Sequence, residues 1–394
     1  MKKYTVQAWY FPNWHQTKQN DKWHGEGWTE WEVLKCARPK YEGHAQPKIP
    51  LWGYEDESDP NVFAKKIRAA TEHGIDGFIF DFYWYKGSGA YRRDALDKGF
   101  LGAPNNTDME FSVMWCNHAP VFTHPEPFYA KTRELESGAI DEELFKEVTD
   151  YCIENYFCKP NYRRIDGKCY FGIWNMAQLV NDLGSLEKAG EMIQAFKKRA
   201  ADAGYPVHLA CRNILAPYFG TTRSTQPLIP SIPPSAELCK KAADTLGIDS
   251  FFVYAWRLFE SEQWPRLDYA KCREVNVKLY HEWAEFSPLP IDITVSTGWD
   301  ASPRTVQSDM YQKSRGGNFG LILDGNTPEE LEKSFQVAKD FAESDKFTGN
   351  TITIYAWNEW TEGGVMEPDE QYGYGYLEAC KRVFGKNNKK GEEK

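Results

Sequence analysis

The stretch from Thr351 to Glu370, TITIYAWNEWTEGGVMEPDE, places two acids, Glu359 and Glu362, three residues apart where an apolar run stops. Paired carboxyl groups are what glycoside cleavage uses: one gives a proton to the leaving oxygen and the other acts as base or nucleophile. Two acids held close also push their pKa values apart, which separates donor from acceptor. If the chain turns there into a first helical turn, positions i and i+3 share one side. The plainer reading is a pair of surface glutamates favoured by a helix N-terminus. The flanking Trp357 and Trp360 tilt the balance towards chemistry. Glu367 and Asp369, on either side of Pro368, read as a loop brace.

Such a pair needs a scaffold, and the chain offers eight strand-like runs. They are 4–11, 75–85, 110–116, 168–174, 206–212, 248–256, 290–297 and 351–357. Most are β-branched or aromatic and nearly continuous, as parallel strands buried on both faces must be. Helical patterns lie between several of them, at 59–74, 141–157, 185–204, 235–247 and 327–344. The first opens on Asp59 and Pro60 and closes on Gly74, a cap at each end. Strand and helix alternating about eight times predict a (β/α)8 TIM barrel. A doubly wound sheet is the rival, but no Gly-x-Gly-x-x-Gly follows the first strand. Residues 1–384 are expected to form one barrel domain with long βα-loop insertions, and 385–394 a disordered polar tail. The insertions are 12–58 and 117–138, rich in Trp and Tyr and without a clear helical period. Pro-rich 225–235 reads as a surface excursion.

In such a barrel the polar residues at C-terminal strand ends converge on one pocket. The candidates are Tyr10 and His15 after strand one, Asp81 and Tyr83 on strand two, Asn117 after strand three and Arg212 on strand five. Trp299 and Asp300 follow strand seven, Trp360 follows strand eight, and Trp28 lies in the first insertion. Rings, amides, carboxylates and guanidinium groups suit a sugar, with C–H faces for the rings and hydroxyls for the rest. Four have a structural alternative: a satisfied buried acid for Asp81, an ion pair for Arg212, loop packing for Trp28 and Trp299. His15, His24 and His44 lack metal-ligand spacing, and no phosphate loop or nucleophile elbow is present. No metal and no cofactor are expected.

Composition narrows the partners. A formal net charge of −10 argues against nucleic acid and anionic membrane surfaces. No run approaches the length of a membrane span. Nine scattered cysteines without C-x-x-C suggest free thiols and a reducing compartment. With no signal-like segment at the N-terminus, the expectation is a cytoplasmic protein, or a periplasmic or cell-surface one if a signal peptide was removed. The 15 Trp, 22 Tyr and 23 Phe stand out, many of the tryptophans among Gly, Asn, His and Glu.

Seven stretches carry a family resemblance: WYFPNWH (9–15), GWTEWE (27–32), GHAQPKIP (43–50), GYEDESDP (53–60), GIDGFIFDFYWY (74–85), GWDASPR (298–304) and WNEWTEGGVMEPD (357–369). Together they resemble the WbsX-type family of polysaccharide-associated proteins, often described as glycosyltransferases. The chain is also similar to the endo-α-mannosidase family, glycoside hydrolase family 99, which implies a (β/α)8 fold. The Glu-Trp-His-Glu motif of that family matches Glu359, Trp360, Thr361 and Glu362, with Thr361 in place of His. The resemblance implies Glu359 as base and Glu362 as acid, acting through the sugar's own 2-hydroxyl with net retention. At strand three, WCNHAPVF departs from the family's Trp-Ala-Asn-Glu-like run. The expected function is a glycoside hydrolase of complex polysaccharide or oligosaccharide. The alternatives are a glycosyltransferase of surface polysaccharide and a non-catalytic sugar binder.

Overall fold

In the computed structural model of the protein, residues 4–128, 133–212, 236–308, 310–313 and 318–385 are described. Eight parallel strands follow one another round a single sheet: β1 (Thr5–Tyr10), β2 (Gly77–Tyr85), β3 (Glu110–Trp115), β4 (Lys168–Ile173), β5 (Val207–Arg212), β6 (Ser250–Phe252), β7 (Ile293–Ser296) and β8 (Thr351–Tyr355). Strand β8 pairs with both β7 and β1, Thr351 lying opposite Thr5. The ring closes between β6 and β7 through one parallel bridge. There the Phe251 amide donates to the Pro290 carbonyl at 2.8 Å and the Asp292 amide to the Phe251 carbonyl at 2.9 Å. The architecture is the expected (β/α)8 barrel, and each of the eight predicted strands contains one of these.

Seven helices of ten residues or more, among the described residues, cover the ring: α1 (Pro60–Glu72), α2 (Glu142–Cys152), α3 (Leu186–Asp202), α4 (Ala236–Leu246), α5 (Tyr269–Phe286), α6 (Pro328–Ala342) and α7 (Gly375–Phe384). After β2 the helix is reduced to a π-helical turn, Ala95–Phe100. Helix α1 starts as its sequence indicates: Asp59 accepts from the Asn61 amide at 2.8 Å and Pro60 fills the first turn. It stops at Gly74, whose φ of +89° a side chain would resist. Helices α5 and α7 were not anticipated. Buried Asn276 interrupts the apolar face of α5; its side chain accepts from the Arg257 amide at 2.9 Å and donates to the Arg257 carbonyl at 3.0 Å.

Side chains alternate across each strand, so register decides what reaches the barrel interior. Val6, Ala8 and Tyr10 of β1 and Phe78, Phe80, Phe82 and Trp84 of β2 pack into the helix layer. Trp9, Ile79, Tyr83 and Tyr85 pack inside the ring with Met114, Tyr170, Phe252 and Tyr355. Both faces are apolar, and burying each such ring contributes roughly 1.5–3 kcal/mol.

The first insertion, expected without helix, contains two short ones, Lys18–His24 and Trp31–Lys35. No helix among the described residues is long and apolar enough to cross a membrane. The Pro-rich segment 225–235 and all of the polar tail but Gly385 lie outside the described residues.

Candidate active site

Strand β8 delivers the two acids, through a hairpin rather than the expected helical turn. Asn358–Glu359 pairs antiparallel with Gly364–Val365. The Glu362 amide donates to the Glu359 carbonyl at 3.1 Å, closing a four-residue β-turn. First and last positions of such a turn lie side by side, so the pairing holds although the element differs. Gly363 follows at φ +75°, where a Cβ would stand 2.7 Å from the Asp300 nitrogen; only glycine fits. The Asp300 amide donates to the Glu362 carbonyl at 2.6 Å and ties the β7 loop to the turn.

Both carboxyl groups meet one guanidinium. Arg304 donates through Nη2 to Glu359 at 3.1 Å and through Nη1 to Glu362. Its Nε reaches Thr361 Oγ1 at 2.8 Å, and Nε and Nη2 reach a third acid, Glu30, at 3.1 and 3.0 Å. Thr361, which stands where the resemblance has His, is fully buried and donates to Glu30. It thus supports the arginine. Glu30 also accepts from Asn13 at 2.5 Å and lies 3.3 Å from His124.

These surroundings split the acids. Burial would raise Glu30, but Arg304 and then His124 outweigh it and hold its carboxyl well below the usual range. Glu359 moves the other way: burial first, then the charge of Glu362, push it well above the usual range against the pull of Arg304. Glu362 accepts a hydrogen bond from the Tyr355 hydroxyl. Asp81 faces the same interior from β2 and accepts from the Tyr254 hydroxyl at 2.7 Å. Burial lifts Asp81 to about 7, with Tyr254 opposing and Glu362 adding to the rise.

A chain of rings lines this mouth. Trp174 meets Tyr254 edge-on at 4.6 Å, Tyr254 meets Tyr355 at 5.1 Å, and Tyr355 stacks on Trp299 at 5.7 Å. Trp174, Tyr254 and Trp299 are half-buried and keep exposed surface. Arg212 lies 4.0 Å over Trp174, and burial lowers it to about 10. Tyr83 carries Arg92 over its ring at 4.9 Å. Trp28 is half-buried in the first insertion, stacked on His24 at 4.1 Å and near His124.

Other expected site residues hold loops. Asn117 donates to the Asn175 carbonyl at 2.8 Å and accepts from its amide at 2.7 Å, joining two rim loops. Asp300 accepts from Gln46 at 2.5 Å and the Ser302 amide at 3.0 Å, and pairs with His44 at 2.8 Å. Burial opposes its ionisation, but these partners win and bring it to about 2.

Tyr10, His15 and Trp360, expected to touch substrate, are fully buried. Tyr10 faces outwards because Trp9 takes the interior position. Its hydroxyl donates to Glu57 at 2.8 Å and accepts from Lys66 at 3.0 Å. His15 meets the same Glu57 at 2.9 Å. Lys66 then pairs with Glu367 at 2.7 Å, and Glu367 accepts from the indoles of Trp357 and Trp360, both at 2.8 Å. A buried network therefore clamps the tryptophans flanking Glu359.

Glu30, Tyr254 and Tyr355 were not among the expected site residues, whereas Arg304 follows strand seven with Trp299 and Asp300, where polar residues were expected to converge. Glu30 did carry a signal: in GWTEWE, as in NEWTE, an acid stands beside tryptophans. Among the described residues no group of three or more His, Cys, Asp and Glu side chains could hold a metal ion.

Two curated relatives from strains of Xanthomonas campestris pv. campestris, both uncharacterized WxcX proteins, are 24% identical over 96% of this chain. The chain spans 49% of their length. Among solved structures, a glycoside hydrolase-like protein has a TM-score of 0.59 at 17% identity, over 97% of this chain and 94% of the other. An endo-α-mannosidase of glycoside hydrolase family 99 from Bacteroides thetaiotaomicron has 0.56 at 14%, over 97% and 96%. At these identities the likeness is one of fold. The family described as Glycosyltransferase WbsX matches residues 6–380, nearly the whole chain, and the protein belongs to that family.

Proposed function

We propose that the protein makes or breaks glycosidic bonds in a complex polysaccharide or oligosaccharide, with Glu359 and Glu362 as the reacting pair. The observation that carries this reading is the grip of one guanidinium, Arg304, on both carboxyl groups beside a ring-lined rim. Glu359, whose carboxyl burial and the charge of Glu362 push well above the usual range, donates to the leaving oxygen. Glu362, held by Arg304 and Tyr355, acts as the base. These roles are the reverse of those the resemblance implies. One guanidinium bonds both carboxyl groups, and the resemblance to the endo-α-mannosidase family implies net retention. Retention is therefore the proposed outcome.

Water as acceptor gives hydrolysis and a sugar hydroxyl gives transfer; the same pair serves both. The description of the matched family favours transfer. The Glu-Trp-Thr-Glu motif, similar to that of endo-α-mannosidases, is what speaks for hydrolysis. The deciding experiment incubates the protein with a glycan library, with and without sugar acceptors and sugar nucleotides, read by mass spectrometry. Shortened chains mean hydrolysis and extended chains mean transfer. Wild-type protein that alters no glycan under any condition refutes the proposal.

A further inference from the structure

Arg92 is a cation near the acid pair that the proposed chemistry leaves unused. It follows the short strand Gly89–Tyr91, which folds back on β2 with Tyr91 opposite Tyr83. Its φ of 59° is left-handed, a conformation that non-glycine residues adopt at a cost and that recurs at ligand clamps. The guanidinium carbon lies 4.5 Å from the Tyr91 ring centroid, 4.8 Å from Phe11 and 4.9 Å from Tyr83. Cation–π contacts fix a charge in place but supply no oxygen acceptor. Its Nε is buried without a hydrogen-bond partner, and it forms no ion pair among the described residues. Arg304 is the contrast: its guanidinium carbon lies 5.4 Å from the same Phe11 ring, and its N–H groups are taken by three acids.

Sharing Phe11 keeps Arg92 within one or two sugar units of the acid pair. The charge of Arg92 also reaches the site: it lowers Asp81, Glu30, His118 and His124 alike. A guanidinium offers five N–H donors in a planar fork that matches carboxylate and phosphate. A half-buried fork that shares one hydrogen bond with the Tyr91 hydroxyl, and otherwise meets π faces, keeps N–H donors for an oxyanion brought by the ligand.

We infer that Arg92 reads an oxyanion on the saccharide, so that the cleft takes an acidic sugar carrying a carboxylate or a phosphate. The inference rests on the reading of the cleft as a sugar site. It is tested by calorimetry or ligand-observed NMR with glucose, galactose and mannose, each alongside its uronate and its 1-phosphate. The two anionic arms separate carboxylate from phosphate. In wild type, at least one anionic form should bind about tenfold tighter than its neutral parent, and added salt should shrink that ratio. In Arg92→Gln the ratio should fall to near one. If that variant does not fold, Arg92→Lys takes its place; it keeps the charge but loses the fork, and the ratio should fall severalfold. No anionic preference in wild type, or a ratio unchanged by substitution, overturns the inference. Neutral sugars that bind as tightly as both anionic forms sink this inference alone. If no sugar of any kind binds, the sugar-site reading fails with it.

Discussion

Replacing Arg304 by methionine keeps most of the side chain's length and removes its charge. Glu30, Glu359 and Glu362 would then face one another in an interior where Arg304 itself is only 8% exposed. Removing one partner of a buried ion pair costs about 3–5 kcal/mol, because the remaining charge is stranded. Arg304 serves three acids, so Arg304→Met should lose at least about 3 kcal/mol at pH 7. The sign of the pH dependence follows from Glu30. In wild type its folded pKa is depressed, so its stabilisation is present above the unfolded value of 4.5 and is lost as pH falls through the folded value. Without Arg304, burial dominates and raises Glu30 as it already raises Glu359. Acids raised in the folded state take up protons on folding, so the variant regains stability as pH falls. The gap between the proteins should therefore narrow from pH 7 towards pH 4. Urea unfolding followed by tryptophan fluorescence at several pH values measures it. A gap below about 1 kcal/mol at pH 7, or one that does not change with pH, refutes the reasoning.

Asp300→Asn should cost about 2 kcal/mol at pH 7, since holding Asp300 near 2 rather than 3.8 corresponds to that amount. The acid-side loss between about pH 4 and 2 should shrink in the variant; denaturant unfolding across that range checks both. Lys66→Met strands Glu367 behind the hairpin and should destabilise by about 3–5 kcal/mol, with partial recovery when Glu367→Gln is added. Losses that simply add in the double variant would deny that the pair is coupled. Carbon-13 NMR titration, assigned with Glu359→Gln, should find the Glu359 carboxyl protonated well above 4.5; a midpoint at or below that value contradicts the electrostatics.

The barrel was legible because its strands are apolar on both faces, which leaves long β-branched and aromatic runs such as TITIY. The same property concealed which residue of each strand points inwards. With no polar alternation in AWYF, Tyr10 looked as exposed to the interior as Trp9, and register decided otherwise. Long-range partners were equally invisible. Asp300 is satisfied by His44 and Gln46 from the first insertion, and Arg304 by Glu30 from the same segment. An acid near a strand end reads alike whether it awaits a sugar or braces a loop. The acid pair was legible by spacing, because turn and helix both bring i and i+3 together; its element was not, because Gly363 and Gly364 suit a hairpin and a helix stop equally well.

The central claim is that Glu359 and Glu362 work as one unit on one glycosidic bond. It is tested most directly by turnover of Glu359→Gln, Glu362→Gln and the double variant on a glycan that wild type processes. Each single variant should lose about 10²–10⁴-fold, and the double should fall no further than the weaker single, as groups acting together do. With an activated aryl leaving group, Glu359→Gln should recover and Glu362→Gln should not. Undiminished turnover in either single variant, or losses that multiply in the double, would contradict the account.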